Sequence, residues 1–336
     1  MLNAGLIGFG GITNAHIQGY TTLEKFGKVR LVCAYDIEPD AFTKKKAINI
    51  EVSENTSDRA IHFYTDLDEM LANENLDFVD ICVPTFKHKE LSTLLLKRGY
   101  NVLCEKPMSL TFADCKEMIA AANESGKELM IAQCLRFFPE FEYIKESIDD
   151  GRYGKVISAF FSRLSPPPTW GWKNWFMNYE FSGGCITDLH IHDIDVARYL
   201  FGEPDAVSCR AIDECSRYAA AQTSLIYGNI PVSAIGDWTR TGVPFTADCN
   251  VAFENATITY TGGVLTVYPK DNSAPFSPEI RKIDGYTGEI EYFCEVVNGN
   301  IKNTRNPATS AALTVKLIEL MKQSADNGGA ILPFEK

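Results

Sequence analysis

The chain has 336 residues, more than one hydrophobic core usually supports, so two domains are expected. Its 45% hydrophobic and 23% charged residues match ordinary globular usage, and no apolar stretch reaches the roughly 20 residues a membrane-spanning helix needs. A net charge of −12 argues against nucleic acid, whose binders need a basic surface to displace counterions.

The first residues, MLNAGLIGFGG, lack a cationic leader and run straight into a glycine turn, which predicts a first strand rather than a secretory signal. The ten cysteines are scattered from Cys33 to Cys294 without a C-x-x-C pair and read as reduced, buried thiols. A cytoplasmic protein is expected. After the first strand come the helix-like NAHIQGYTTLEKF, the strand-like VRLVCAYD and a polar helix-like segment. DFVDICVP, the periodic HKELSTLLLKRG, NVLCEKP, the helix-like FADCKEMIAAANESG and LMIAQCL continue the same alternation. That grammar predicts an α/β, Rossmann-type, doubly wound parallel sheet, and residues 1–129 are assigned to it.

Beyond about residue 135, VISAFFSRL, AVSCRAI, AAQTSLIYG, PVSAIGDW, CNVAFENATITYT and GVLTVYP succeed one another through turn residues. Residues 130–336 are therefore expected to form an α+β domain with a large, mainly antiparallel open sheet. Two helix-like segments interrupt it, one from about Asp188 to Leu200 and one in PATSAALTVKLIELMKQSADNGG. The loop SPPPTWGWKNWFMN gathers three prolines and Trp170, Trp172 and Trp175.

Gly8, Gly10 and Gly11 lie between a predicted strand and a predicted helix, where the backbone can turn tightly and approach a pyrophosphate at a helix N-terminus. Alone, such a cluster is equally a tight turn. Asp36 ends the second strand about two dozen residues on, where an acid accepts both ribose hydroxyls, or else simply opens a solvated turn. A carboxylate there repels a 2′-phosphate and no Arg follows in YDIEPD, so NAD is favoured over NADP.

Cys104-Glu105-Lys106-Pro107 follows the strand-like NVL, at the carboxyl end of a parallel strand, where open α/β sheets bind ligands. An ammonium there can hydrogen-bond a substrate hydroxyl and the cofactor ribose; the plainer alternative is a surface Glu-Lys pair before a turn proline. In the stretch Gly183–Asp195, a helix would bring Asp188, His192 and Asp195 onto one face. A histidine beside an acid is the usual base for removing a hydroxyl proton near neutral pH. No metal is expected: on a helix, His190 and His192 would splay about 200° apart, and only five histidines exist in the chain.

These ordered motifs resemble the glucose-fructose oxidoreductase and inositol dehydrogenase family (Gfo/Idh/MocA) across almost the whole chain. The strongest matches are Glu105-Lys106-Pro107 and Asp188-x-x-x-His192, with GFGGIT, Pro84-Thr85-Phe86-Lys87-His88 and Arg136-Phe137-Phe138-Pro139 in matching order. The resemblance implies hydride transfer between nicotinamide and a hydroxyl-bearing carbon of a sugar, inositol or related polyol. Lys106, Asp188 and His192 would form the catalytic set, with His192 as acid-base, Lys106 orienting the hydroxyl, and Asp188 supporting the proton transfer. Gly8, Gly10, Gly11, Ile12, Asp36, Pro84, Thr85, His88, Glu105 and Lys106 would hold the cofactor, and Glu105 and Pro107 would shape the turn. The family's C-terminal open sheet packs on a second subunit, which implies a homodimer or homotetramer. Two departures are Thr13 in the glycine turn and His190, where many relatives carry a small residue, altering the pocket wall; the IHDID form looks closer to the inositol dehydrogenase branch. The three tryptophans, with Arg163 upstream, either line a sugar pocket or anchor the loop or an interface. Two other readings stay open: an NAD-dependent glycosidase using transient oxidation, and a non-catalytic NAD-responsive regulator.

Overall fold

The computed structural model describes residues 1–43 and 61–335. They divide into two compact units, each assembled from separated stretches of chain. The first takes Met1–Phe137, Trp170–Trp175 and Asp284–Ala312; the second takes Phe138–Thr169, Phe176–Ile283 and Leu313–Lys336. The single boundary expected at 129/130 falls inside a strand of the first unit, and that unit also recruits a helix from near the C-terminus.

In the first unit, β1 (Leu2–Ile7), β2 (Val29–Tyr35), β3 (His62–Tyr64), β4 (Phe78–Ile81), β5 (Asn101–Glu105) and β6 (Leu129–Ala132) form a wholly parallel sheet in the order β3-β2-β1-β4-β5-β6. Helices α1 (Thr13–Lys25), α2 (Leu67–Asn73), α3 (His88–Lys97) and α4 (Phe112–Ser125) connect the strands. This is the dinucleotide-binding strand order, and its reversal between β1 and β4 opens a crevice at the carboxyl ends of those strands. Parallel strands covered on both faces read as near-continuous apolar runs, as Phe78, Val79, Ile81, Val102, Leu103 and Cys104 do. Asp80, wholly buried in the middle of β4, breaks that rule. Edge strand β3 and helix α2 escape the sequence pattern because β3 has only three residues, two of them exposed. The part of the polar helix-like segment beyond Thr43 lies outside the described residues.

The second unit begins with α5 (Pro139–Asp149) and β7 (Val156–Leu164), continues through α6 (Tyr179–Ser182), α7 (Cys185–Asp188) and α8 (Ile191–Phe201), and then meanders through β8 (Ala206–Ile212), β9 (Ala220–Tyr227), β10 (Ile230–Asp237), β11 (Thr246–Phe253), β12 (Ala256–Thr261) and β13 (Val264–Pro269). Helices α9 (Gly285–Val297) and α10 (Ala308–Asp326) and the short β14 (Leu332–Pro333) complete the chain. The eight-stranded sheet runs β13-β12-β11-β7-β10-β9-β8-β14; only β7 and β10 pair in parallel. Alternating burial along β9 marks a sheet with one covered face.

Helices α5 and α9 were not expected. Helix α9 carries Ile290, Phe293, Cys294 and Val297 at helical spacing and packs against α1 in the first unit, with Lys28 bridging to Glu291 at 2.9 Å. Its N-cap is built from Asp284, whose carboxylate accepts the Thr287 amide at 2.9 Å.

Candidate active site

The glycine turn follows β1 directly. Gly8 adopts φ +87°, and a Cβ there would sit 2.7 Å from the Cys82 carbonyl oxygen, so no other residue fits between β1 and β4. Gly10 has nothing within 4 Å of its Cβ position. Thr13, the departure from the glycine pattern, is buried and donates its hydroxyl to the Gly10 carbonyl at 2.6 Å, closing the turn from inside. Ile12 stands at the N-cap of α1, packs against the core, and has no side-chain capping bond.

Asp36 directly follows β2, with both carboxylate oxygens anchored. Oδ2 accepts the Phe9 amide at 2.7 Å and Oδ1 accepts the Glu38 amide at 2.8 Å. A carboxylate offers about four acceptor positions, so two remain for hydroxyls. At the carboxyl end of β4, Pro84 leads into a short 3-10 turn, Thr85–Lys87, in which the buried Thr85 Oγ1 has no hydrogen-bond partner. The uncapped first turn of α1, the open face of Gly10, the anchored acid and the orphaned Thr85 hydroxyl fit a dinucleotide bound across the crevice.

His88, expected among the cofactor residues, is buried with Nδ1 2.7 Å from the Pro107 carbonyl and Nε2 2.8 Å from the Val83 carbonyl. Burial holds its pKa below the ordinary imidazole range, although the carbonyls oppose this. The ring ties the turn after β4 to the turn after β5. In that second turn the Lys106-Pro107 peptide is cis, and the Lys106 amide donates to Glu105 Oε2 at 3.0 Å. Lys106 is partly exposed.

In the second unit, Asp188 ends α7 and His192 lies in the first turn of α8. Leu189 and His190 between them keep right-handed helical dihedrals, with the His190 amide reaching back five residues to the Cys185 carbonyl at 2.9 Å. The backbone therefore continues through one widened turn, and Asp188 and His192 occupy successive turns. Asp188 is buried and His192 is half-buried.

Asp195 does not complete a three-residue functional face. Its Oδ1 accepts the Thr314 hydroxyl at 2.7 Å in a buried network that also holds Arg198, itself paired with Glu203. His190 is fully buried, 2.9 Å from Thr223 Oγ1, with its Cβ against Gly236 of β10. Arg163 is likewise turned inward, bound to Asp193 through Nε at 3.2 Å and Nη2 at 3.0 Å. Trp172 belongs to the first unit's packing and donates Nε1–H to Glu38 at 3.1 Å, two residues beyond Asp36.

The sequence reading missed a buried cluster in the first unit: His16 on α1, Asp80 on β4, Glu105 on β5 and Glu289 on α9. An acid inside the apolar run DFVDICV and an acid on the apolar face of α9 were the available signals.

Residues 2–133 match the family described as an oxidoreductase family with an NAD-binding Rossmann fold, and residues 141–281 match the Gfo/Idh/MocA C-terminal domain. The chain is 36% identical to a 2,7-anhydro-N-acetylneuraminate hydratase of Mediterraneibacter gnavus over 141 residues, 41% of this chain and 37% of the relative. It is 30% identical to the myo-inositol 2-dehydrogenase of Thermotoga maritima over 206 residues, 60% of this chain and 55% of the relative. These alignments span about half, or less, of each relative's length. A levoglucosan dehydrogenase solved with NADH and levoglucosan shares the fold, with a TM-score of 0.82 at 18% identity and full coverage of both chains. No helix among the described residues is long and apolar enough to cross a membrane. With both family regions present in order around the Asp36 and Glu105-Lys106-Pro107 motifs, the chain belongs to the Gfo/Idh/MocA oxidoreductase family and carries its NAD-binding Rossmann fold.

Proposed function

We propose that this protein is an NAD-dependent dehydrogenase acting on a CH–OH group of a sugar, inositol or related polyol. The observation that carries the reading is the carboxylate of Asp36, locked by the Phe9 and Glu38 amides beside the glycine turn, in a sheet whose β5 is followed directly by Lys106. Bound NAD supplies the hydride acceptor. In this reading the protein's residues manage the proton and the charge: His192 accepts the hydroxyl proton, Asp188 supports that transfer, and the Lys106 ammonium steadies the oxygen as negative charge develops. Glu105 and His88 hold the turn from which Lys106 projects. Assembly into a homodimer or homotetramer through the open sheet is part of the same proposal.

The test is a screen of inositols, hexoses, amino sugars and uronates for NADH formation. With a turned-over substrate, Lys106→Ala is expected to lower kcat about 100- to 1,000-fold, the scale of losing one positioned charge-stabilising donor, while NAD binding persists. Unchanged turnover in that variant removes Lys106 from the mechanism.

A second reading is favoured by the likeness to 2,7-anhydro-N-acetylneuraminate hydratases. In it, NAD held in the crevice would supply a reversible oxidation of the substrate, and the protein's residues would assist elimination of the C–O oxygen of an anhydro sugar or glycoside, followed by addition of water and return of the hydride, so that no net NADH forms. Product release without net NADH, abolished by removing NAD, supports this second reading; obligatory stoichiometric NADH formation excludes it.

A further inference from the structure

The first unit buries more ionisable groups than its cofactor site uses. His16 on α1 is completely enclosed, with Nδ1 2.7 Å from Asp80 Oδ2 and Nε2 3.0 Å from Glu105 Oε1. The Tyr20 hydroxyl donates to the same Asp80 oxygen at 2.8 Å, and the Cys82 thiol lies 3.6 Å from the other. Glu289, from α9, is also fully buried, and neither of its carboxyl oxygens has a hydrogen-bond partner. One oxygen of Glu289 lies within 4.8 Å of the facing atoms of both His16 and Glu105. Tyr286 closes this side, its ring 6.1 Å from that of His16.

Hydrogen-bond chemistry restricts the protonation states. Ionised carboxylates only accept, so a ring facing carboxylates at both nitrogens must donate from both. The electrostatics agree: burial opposes the charge on His16, but Asp80, with Cys82, overrides it and raises the pKa well above the usual range. Burial, and then Glu105, push the Glu289 carboxyl well above the usual carboxylate range, which favours its neutral form. The ring thus lies between two carboxylates that both accept from it, which offsets part of the cost of burying these polar groups.

Glu105 connects this cluster to the surface. Its Oε1 faces His16 and its Oε2 accepts the Lys106 amide. We propose that His16 is a positioning residue for Lys106: by bridging Asp80 on β4 to Glu105 on β5, it fixes the carboxylate on which the Lys106 backbone is seated. The proposal rests on the reading of Lys106 as the group that orients the substrate hydroxyl. Freed from His16, Glu105 can turn away from the Lys106 amide. A displacement on the ångström scale at a reacting group costs about 100-fold in rate without necessarily weakening cofactor binding.

The experiment uses the full-length protein loaded with NAD, comparing wild type with His16→Leu, His16→Gln and Lys106→Ala. Support is a fall in kcat of about 100-fold in His16→Leu, with NAD affinity changed less than about threefold and partial recovery in His16→Gln, which keeps one donor. An unchanged kcat in His16→Leu overturns the proposal, and so does a parallel collapse of NAD affinity, which would make His16 merely structural. If Lys106→Ala also leaves kcat unchanged, the failure belongs to the assignment of Lys106. Nitrogen NMR of histidine-labelled wild-type protein tests the bridge independently of variants and substrate: two protonated ring nitrogens on His16 at neutral pH support it, and a neutral tautomer overturns it. Stoichiometric bound metal ligated by His16 overturns it as well.

Discussion

The Asp36 carboxylate is tied to the glycine turn it faces, Oδ2 accepting the Phe9 amide at 2.7 Å. In the proposed function this bond couples the acid assigned to the ribose hydroxyls with the glycine turn assigned to the pyrophosphate. Asp36→Ala removes the acceptor for two backbone amides and, in the proposed function, for the ribose hydroxyls. Hydrogen bonds to a charged group are each worth about 1.5–3 kcal/mol, so NAD affinity is expected to fall at least about tenfold. NADP, already repelled by the carboxylate, should lose less, narrowing the preference. Parallel titrations with both cofactors measure the ratio; an unchanged preference would remove Asp36 from cofactor discrimination.

Gly236 is required for space rather than for backbone freedom. A Cβ there would meet His190 Cβ at 2.6 Å, and the imidazole cannot retreat because it is completely buried and bonded to Thr223. Gly236→Ala is expected to destabilise the second unit by about 1–3 kcal/mol, the usual cost of overpacking. Calorimetric melting should show the loss, and NAD affinity should remain at the wild-type value. An unaltered melting temperature would mean that β10 can shift away from α8.

His190 also predicts how stability responds to acid. Burial, reinforced by the Arg163 charge, depresses its pKa from the ordinary 6.5 to about 3, so the folded ring stays neutral. The unfolded chain takes up a proton near the ordinary value. The stabilisation is therefore complete above pH 6.5 and is lost progressively as pH falls towards about 3, with a slope of about 1.4 kcal/mol per pH unit for one proton. His88 contributes in the same direction, while His16, whose pKa is raised, contributes in the opposite one. Denaturation of wild type and His190→Asn at about pH 5 and about pH 7 isolates the effect. The variant should lose less stability on acidification, and equal losses would refute the assignment.

The sequence made the parallel sheet readable because its buried strands are short, mainly apolar runs, interrupted in β4 only by Asp80, and several end near a glycine or proline turn, as β5 does at Pro107. The antiparallel strands were equally plain; the pair β11 and β12 ran together in the sequence and is separated only by the turn at Glu254–Asn255. Strand β3 was too short and too exposed to register. Helix α9 did have an apolar stripe, but nothing local says that it packs against α1, more than 260 residues earlier, as the pairing of Lys28 with Glu295 reflects. The same limit applies to the site. Asp36, Thr85 and Lys106 sit at strand ends where position alone suggests a role, whereas the partners of His16 come from β4 and β5 and are joined only by folding. Asp195 illustrates the converse error: helical spacing aligned it with Asp188 and His192, and Thr314 claimed it.

Arg163 and Asp193 give the last prediction, because each is nearly inaccessible and each is the other's principal partner among the described contacts. Burial pushes the Asp193 carboxyl upward, and the guanidinium beside it pulls it back down. Such a pair adds little net stability over a well-packed apolar substitute, yet breaking it leaves an uncompensated buried charge. Asp193→Ala is therefore expected to cost about 3–5 kcal/mol, while the double change Arg163→Met with Asp193→Leu should cost much less than the single variant. Thermal melts of the two variants decide the point. A double variant as unstable as Asp193→Ala would mean that the pair fixes the arrangement of β7 and α8 in a way that apolar packing cannot replace.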